Sequence, residues 1–420
     1  MSPCRLGSPV AHSGTLPPPL HSSAKCSTLL NVERRTFVTS LAAGAVLAPS
    51  RVLGAGDRVR IGLIGTGGRC MGLAGILKNQ PNAEIVAACD VYEPRRTAAA
   101  ERMGAQAKPV ADYREVLDRT DIDAVVIAAP DHWHVKMTLD AVAASKDVYV
   151  EKPVTHDISE GERLIAGVER SKRVVATGTQ QRSWEHYILA KQVIESGRLG
   201  QIPLVECYWY QNYLRRARPD PEIDSSKLDW KQWLGSARDQ PFDSLRYRRW
   251  RFFWDFGGGI FTDLMTHWID AIQWIMKSPS PKSITAAGAT HALKEWECPD
   301  TVNASLIFPN NYTVVYNGAM VGSLDGGGIV FRGSEGVMRL TRDGFWVYNE
   351  GVIPAEGTAR PEPSMIVKST GDGTVSNLKN WLDCIRTRAL PNAHIRAGVE
   401  AARTSHLTNQ AMRTGRVVTS

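Results

Sequence analysis

A chain of 420 residues, 43% of them hydrophobic, can bury a large core and is long enough for two domains. Its formal charge of +7 would suit an acidic partner, but residues 1–55 carry a net +4, and no basic stripe is interleaved with aromatics, which argues against a nucleic-acid reader. Seven scattered cysteines without a CxxC pair indicate neither a disulfide framework nor a zinc site.

Residues 1 to about 32 are rich in Ser, Pro and Leu without periodicity, which predicts either disorder or a stretch that precedes the true start of translation. Arg34-Arg35-Thr36-Phe37-Val38 and the small, apolar run Leu41 to Pro49 then resemble a bacterial twin-arginine export signal, with Gly54-Ala55 a candidate cleavage point. That pattern predicts a leader over 1–56 and a periplasmic mature protein. No later apolar run is long enough to cross a bilayer.

From Val59 to Ile64 an alternating apolar run breaks at Gly65-Thr66-Gly67-Gly68-Arg69-Cys70 and resumes at helical spacing through Met71, Leu73, Ile76 and Leu77. A strand, a glycine turn and a helix of this kind aim backbone N–H groups at a diphosphate. Gly65 makes the turn and Gly67 admits the diphosphate, while Cys70 stands where a third glycine belongs. The next strand, Ala83 to Cys89, ends in Asp90, placed to hold a ribose hydroxyl pair. Together these point to a nicotinamide dinucleotide. Asp90 favours NAD, and Arg95 and Arg96 leave NADP open.

Further strands are expected near Pro109 and at Ala124–Ala128, Asp147–Val150 and Val174–Thr177, alternating with helices. This gives a doubly wound parallel sheet over 57–180 whose ligands sit at the strands' carboxyl ends. The turn after Ala128 reads Ala129-Pro130-Asp131-His132-Trp133-His134. An H-x-H pair invites a metal, but no third ligand lies at a supporting spacing, so Pro130, His132, Trp133 and His134 are assigned to the cofactor, a flat ring beside the nicotinamide. After Val150 comes Glu151-Lys152-Pro153. A lysine at that edge can donate to a substrate hydroxyl and steady its oxygen as hydride leaves carbon.

Beyond Thr177, Gln180, Gln181, Arg182, Trp184 and His186 lead into a helix from Tyr187 to Ser196 expected to bridge two domains. Gln180 is assigned to the cofactor and Arg182 to the substrate. Strand-like runs at 204–210, 283–289, 301–308, 312–317, 329–332, 336–340 and 345–348, with hairpin signals between them, predict an α+β domain over 181–375 built on a largely antiparallel open sheet. Within it, Gly257-Gly258-Gly259 precedes a helix on which Asp263, His267 and Asp270 form one polar stripe. An imidazole held by a carboxylate is a suitable base for a hydroxyl, so Asp263 and His267 join Lys152 as catalytic candidates. The Arg- and Trp-rich stretch 246–254, ending in Trp254, could stack on a carbohydrate or form the domain interface. Residues 376–420 read as helices folding back onto the first domain.

GTGGRC, Asp90, APDHWH, EKP and the aspartate-and-histidine helix together resemble the Gfo/Idh/MocA family of NAD(P)-dependent oxidoreductases. The resemblance implies that Lys152 sits beside the nicotinamide with Pro153 in cis, that Lys152, Asp263 and His267 surround the reacting carbon, and that the open sheet makes homo-oligomer contacts. The expected activity is oxidation of a secondary hydroxyl of a sugar, sugar derivative or cyclitol. Export argues for the alternative of a redox-neutral carbohydrate conversion (elimination, epimerisation or transhydrogenation) that recycles a bound cofactor. A cofactor-binding protein without turnover is a third reading.

Overall fold

The computed structural model describes residues 58–214, 222–352, 356 and 360–419. The expected leader and export signal over 1–56 lie outside them.

The first half is a six-stranded parallel sheet in the order β3-β2-β1-β4-β5-β6, formed by β1 (Val59–Ile64), β2 (Ala83–Cys89), β3 (Lys108–Val110), β4 (Ala124–Ile127), β5 (Asp147–Val150) and β6 (Val175–Thr177). Helices α1 (Gly68–Lys78), α2 (Glu93–Met103), α3 (Tyr113–Asp118), α4 (Asp131–Ala143) and α5 (Glu160–Ser171) supply the crossovers. β1, β4 and β5 are almost wholly buried, as expected of strands covered on both faces. The order reverses between β1 and β4, and the crevice at that switch point, above the strands' carboxyl ends, is where a doubly wound sheet binds its ligand.

After α6 (Glu185–Glu195), β7 (Leu204–Tyr210) enters a nine-stranded sheet, ordered β14-β13-β12-β11-β7-β10-β9-β8-β15. Its other members are β8 (Ser283–Ala289), β9 (Thr301–Phe308), β10 (Tyr312–Ala319), β11 (Gly327–Arg332), β12 (Gly336–Thr341), β13 (Gly344–Asn349), β14 (Met365–Lys368) and β15 (Val418–Thr419). Every pairing is antiparallel except β7 with β10. Strands β14 and β15 were not expected: four and two residues long, they carry too little alternation to register in the sequence. The sheet's inner face packs on α6 and on α9 (Thr266–Ile275), around Phe261, Trp268, Ile272, Leu306, Phe331 and Phe345. Between β7 and α9 lie two short helices, α7 (Trp230–Leu234) and α8 (Ser244–Arg248).

The C-terminal helices only partly follow the expectation. α10 (Gly373–Thr387) buries Leu378, Trp381 and Leu382 in the parallel-sheet core. α11 (Ile395–Thr414) instead joins both halves: Ile395, Val399 and Ala402 pack beneath the parallel sheet, while Ala401, Leu407 and Ala411 belong to the core of the second sheet. Its small residues permit that close approach, and α11 rather than α6 carries the longer bridge between the cores.

Candidate active site

The glycine turn is held open by its backbone. Gly65 has φ +81°, and a Cβ there would lie 2.7 Å from the Ala129 amide nitrogen, so only glycine fits. A Cβ on Gly67 would meet nothing nearer than Arg95 Nη1 at 3.9 Å, and one on Gly68 meets nothing within 4 Å. The N-terminus of α1 has no side-chain cap and no acidic residue in its first turn, so its free N–H groups and positive dipole end are available to an anion. Asp90 braces the turn: one carboxylate oxygen accepts from Thr66 N at 2.9 Å, the other from Tyr92 N at 2.9 Å. Burial raises the Asp90 carboxyl against the opposing pull of Arg95 and these hydrogen bonds. Cys70 is fully buried and packs α1 onto the sheet, so it does not reach the diphosphate region, and burial pushes its thiol up.

A cavity of about 280 Å³ runs from this turn, lined on one side by Gly65, Gly67, Arg69, Asp90, Pro130 and Trp133. Its other side comes from residues 232–251 of the second domain, including Trp233, Tyr247, Trp250 and Arg251. That segment is strapped to the first domain. Leu228 bridges to Tyr92, Asp229 N donates to Val91 O at 3.1 Å, and Trp133 Nε1 donates to Trp233 O at 2.9 Å. Tyr247 meets Tyr92 edge to face and lies under the Arg95 guanidinium at 4.9 Å. An open glycine turn, an uncapped helix N-terminus, an acid at the end of β2 and a roofed cleft together fit a dinucleotide.

The charged groups expected at the reacting centre lie just beyond the lining of that cavity, with Arg251 shared between the two. Lys152 follows β5, with the Lys152–Pro153 peptide cis. Its ammonium donates to Asp263 Oδ1 and to the Asp263 carbonyl, both at 2.6 Å. Arg251 Nε donates to the same Oδ1 at 3.2 Å. Burial alone would raise the Asp263 carboxyl, but these two cations hold it below its ordinary value. Glu151, buried at the end of the same strand, receives Arg69 Nε at 2.7 Å across the glycine turn.

The expected Asp263–His267 pair does not form. Residues Phe261–Met265 make one π-helical turn before α9 begins, and Asp263 turns toward Lys152 and Arg251. Gly259, at φ +66° with a Cβ that would lie 2.7 Å from Cys298 Cβ, lets the chain enter that turn. His267 instead lies nearly parallel to Trp209, ring centroids 5.7 Å apart and 22° between planes. Its Nδ1 is enclosed without a partner. Burial first, then the charges of Lys152, Arg342 and Arg69, push the imidazole well below its ordinary value and keep it neutral.

Other assigned residues have different surroundings. Arg182 is committed to Asp270, with Nε 2.8 Å and 3.0 Å from the two carboxylate oxygens in a buried pair, so it is not free for substrate. Asp270, expected on the Asp263 stripe, is thereby structural. His134 is held between Pro153 O at 2.6 Å and Ala129 O at 2.8 Å and pins the two loops together. His132 lies buried among Trp133, Trp233 and Phe256, with Nε2 3.2 Å from Trp233 O, and burial pushes it down to about 3. Neither imidazole lines the cleft; Trp133 does. Gln180 is buried with Oε1 unpartnered. Trp254 is absent from the cleft lining, and its ring lies 4.6 Å from the Arg413 guanidinium.

Tyr247 and Arg251, within the 246–254 stretch offered to a carbohydrate or the domain interface, line the cleft, whereas sequence reasoning gave no role to Trp209, Asp131 and Arg342. Asp131, in the quoted APDHWH run, is buried near Arg251 and Lys152, and burial raises its carboxyl well above the ordinary value. Its place at the start of α4, after a buried strand, was the one available signal; the others arrive from distant segments that no local pattern links.

Comparison with known proteins agrees with this arrangement. Residues 59–179 match the family model of the oxidoreductase family with an NAD-binding Rossmann fold, and residues 232–339 match the GFO/IDH/MocA C-terminal domain, together more than half of the chain. Inositol 2-dehydrogenase of Salmonella typhimurium is 31% identical over 144 residues, 34% of this chain and 42% of that enzyme, so the match spans less than half the relative's length. Among solved structures, the WlbA dehydrogenase from Bordetella pertussis in complex with NADH and UDP-GlcNAcA superposes over 86% of this chain and 99% of its own, at 22% identity and a TM-score of 0.66. Aldose-aldose oxidoreductase from Caulobacter crescentus does so over 86% and 100%, at 18% identity and a TM-score of 0.68. Glycine turn, cis-proline loop and open sheet thus come together in one chain, which belongs to the Gfo/Idh/MocA oxidoreductase family.

Proposed function

We propose that the protein oxidises a secondary hydroxyl of a sugar, sugar derivative or cyclitol, with NAD as hydride acceptor. The observation that carries this reading is the Lys152–Asp263 pair at 2.6 Å, joining the end of the first sheet to the helix of the second domain beside a neutral His267. Bound at the glycine turn, the nicotinamide supplies hydride acceptor and donor chemistry. His267 Nε2 takes the hydroxyl proton, because burial among cations keeps the imidazole unprotonated. Lys152 Nζ donates to the substrate oxygen, and Asp263, fixed by Arg251, aims that ammonium. Trp209 orients the His267 ring in place of the expected carboxylate. The resemblance to an inositol 2-dehydrogenase over about a third of the chain supports cyclitols among the substrates to be tried. Purified protein mixed with NAD and a panel of hexoses, uronates and inositols is expected to develop reduced-nicotinamide absorbance with at least one of them, and with none after Lys152→Ala. Equal absorbance from both proteins would end this reading.

A second reading is favoured by the strap over the cleft. The Tyr92–Leu228 bridge and the Trp133–Trp233 bond roof the cofactor side and oppose exchange, as suits a redox-neutral carbohydrate conversion that reoxidises its own cofactor. Export by the twin-arginine route, which delivers folded proteins with their cofactors, would demand such recycling. Protein that arrives loaded and converts sugar without added NAD supports this version; a stoichiometric requirement for added NAD rejects it. We also propose that the open face of the second sheet, with Ile307 half exposed and Tyr208 stacked on Tyr210, carries contacts between copies of the chain, which the mass in solution tests.

A further inference from the structure

Around the reacting centre, each cation but one is matched by a carboxylate. Lys152 and Arg251 share Asp263, Arg69 holds Glu151, and Arg182 holds Asp270. Arg342, in the turn between β12 and β13, makes no ion pair and no hydrogen bond with any described residue, and its Nε is enclosed without a partner. Its guanidinium lies 4.8 Å from the centroid of Trp209 and 5.7 Å from that of Trp268, and Trp209 carries His267 against it. The Tyr187 hydroxyl nearby is likewise enclosed and unpartnered.

Aromatic faces offset only part of the cost of taking a guanidinium out of water, and they leave its in-plane donors free. A stacked guanidinium with an open edge is suited to grip a planar or tetrahedral anion by two parallel hydrogen bonds. The charge balance points the same way. Lys152, Arg251 and Arg69 lie directly on Asp263 and Glu151, with Asp131 and Asp372 within electrostatic reach of these cations, whereas no described carboxylate touches Arg342, and burial disfavours its cation further. A neutral sugar leaves the Arg342 guanidinium without a counter-charge in contact, whereas an anionic one supplies it.

We infer that Arg342 is a specificity-determining residue that pairs with a carboxylate or phosphate on the sugar, so that the preferred substrates are acidic sugars. The inference rests on the hydride-transfer site proposed above, because Arg342 reaches that site through Trp209 and His267. Binding is measured on the NAD-loaded protein by calorimetry and by tryptophan fluorescence, since Trp209 lies under the guanidinium. Glucuronate, glucose 6-phosphate and glucose are compared. One of the two acids is expected to bind about 10- to 100-fold more tightly than glucose, and which acid it is distinguishes carboxylate from phosphate. Arg342→Gln is expected to bring that acid to the level of glucose, and Arg342→Lys, which keeps the charge without the fork, to fall between. Circular dichroism of both variants checks folding. If neither acid surpasses glucose, or a folded Arg342→Gln protein keeps the preference, the inference is overturned. Nicotinamide reduction is followed in the same samples. Reduction without acid preference rejects the inference and leaves the hydride chemistry standing; Arg342-dependent acid binding with no reduction by any sugar rejects the chemistry and keeps the anion site.

Discussion

The two walls of the cleft treat their polar groups differently. On the cofactor wall Asp90 receives Thr66 N and Tyr92 N, Glu151 receives Arg69, and His134 spans two carbonyls, so the wall is braced by internal bonds. On the substrate wall His267 Nδ1, Arg342 Nε and the nearby Tyr187 hydroxyl are enclosed and unpartnered. Buried polar groups left unpaired are costly; His132 Nδ1, Gln180 Oε1 and the Tyr247 hydroxyl are unpartnered too, but those around His267 sit beside the reacting lysine, where a polar ligand can offset the cost. The same contrast separates two carboxylates seven positions apart: Asp263 serves Lys152 at the site, whereas Asp270 serves Arg182 in the core.

The sharpest way to break this contrast is to remove one group from each side. Lys152→Ala or His267→Ala is expected to lower kcat by about 10²- to 10⁴-fold with little change in melting temperature, read by single-turnover reduction of NAD. Arg182→Ala should do the reverse. Leaving Asp270 unpaired in the core costs about 3–5 kcal/mol of stability, and an Arg182→Met, Asp270→Leu double variant should recover most of it. If denaturant titration finds Arg182→Ala neutral, Asp270 is not the structural carboxylate of the pair.

On the cofactor wall, Gly65→Ala forces a side chain into a left-handed position against Ala129, at a cost of roughly 1–3 kcal/mol. NAD binding followed by fluorescence should be lost while substrate-wall groups are untouched. A smaller, graded effect comes from pH. His132 and His406, pushed down by burial to about 3 and about 4, stay neutral in the fold. The unfolded chain binds protons below about pH 6.5, so their stabilising contribution is complete above that pH. It falls by about 1.4 kcal/mol per unit for each histidine as the pH drops toward those values. Denaturation midpoints should therefore decline steadily from about pH 6.5 downward, and less steeply in His132→Asn. A flat profile would mean that these rings are solvated.

Much of the first half was legible in the sequence because its signals are local. A strand, a turn that only glycine can make and an acid closing the next strand lie within about thirty residues. The parallel sheet, though not its strand order, followed from alternation, and the bounds of β1, β2, β5, β7, β8 and β9 matched the sequence reading. Lys152 meets Asp263 and lies within electrostatic reach of His267, the neighbourhood the resemblance implied, but their bonding was not foreseen. Spacing on a helix assumes 3.6 residues per turn, and the π turn at Phe261–Met265 rotates Asp263 away from His267. The same assumption set Asp270 beside them. Trp209 and Arg342 escaped notice for another reason: each is contributed by a separate strand or loop, and their meeting is a property of the packed fold alone.

Because α11 is embedded in both hydrophobic cores, the two halves cannot rock apart like jaws without tearing apolar contacts on each side. Admission of a dinucleotide then falls to peeling of the 228–247 band, held by one β-bridge, the Asp229–Val91 and Trp133–Trp233 hydrogen bonds and a few aromatic edges. Amide deuteration should be fast along that band and slow along α11, and Tyr247→Ala should quicken cofactor departure while leaving the long helix as protected as before.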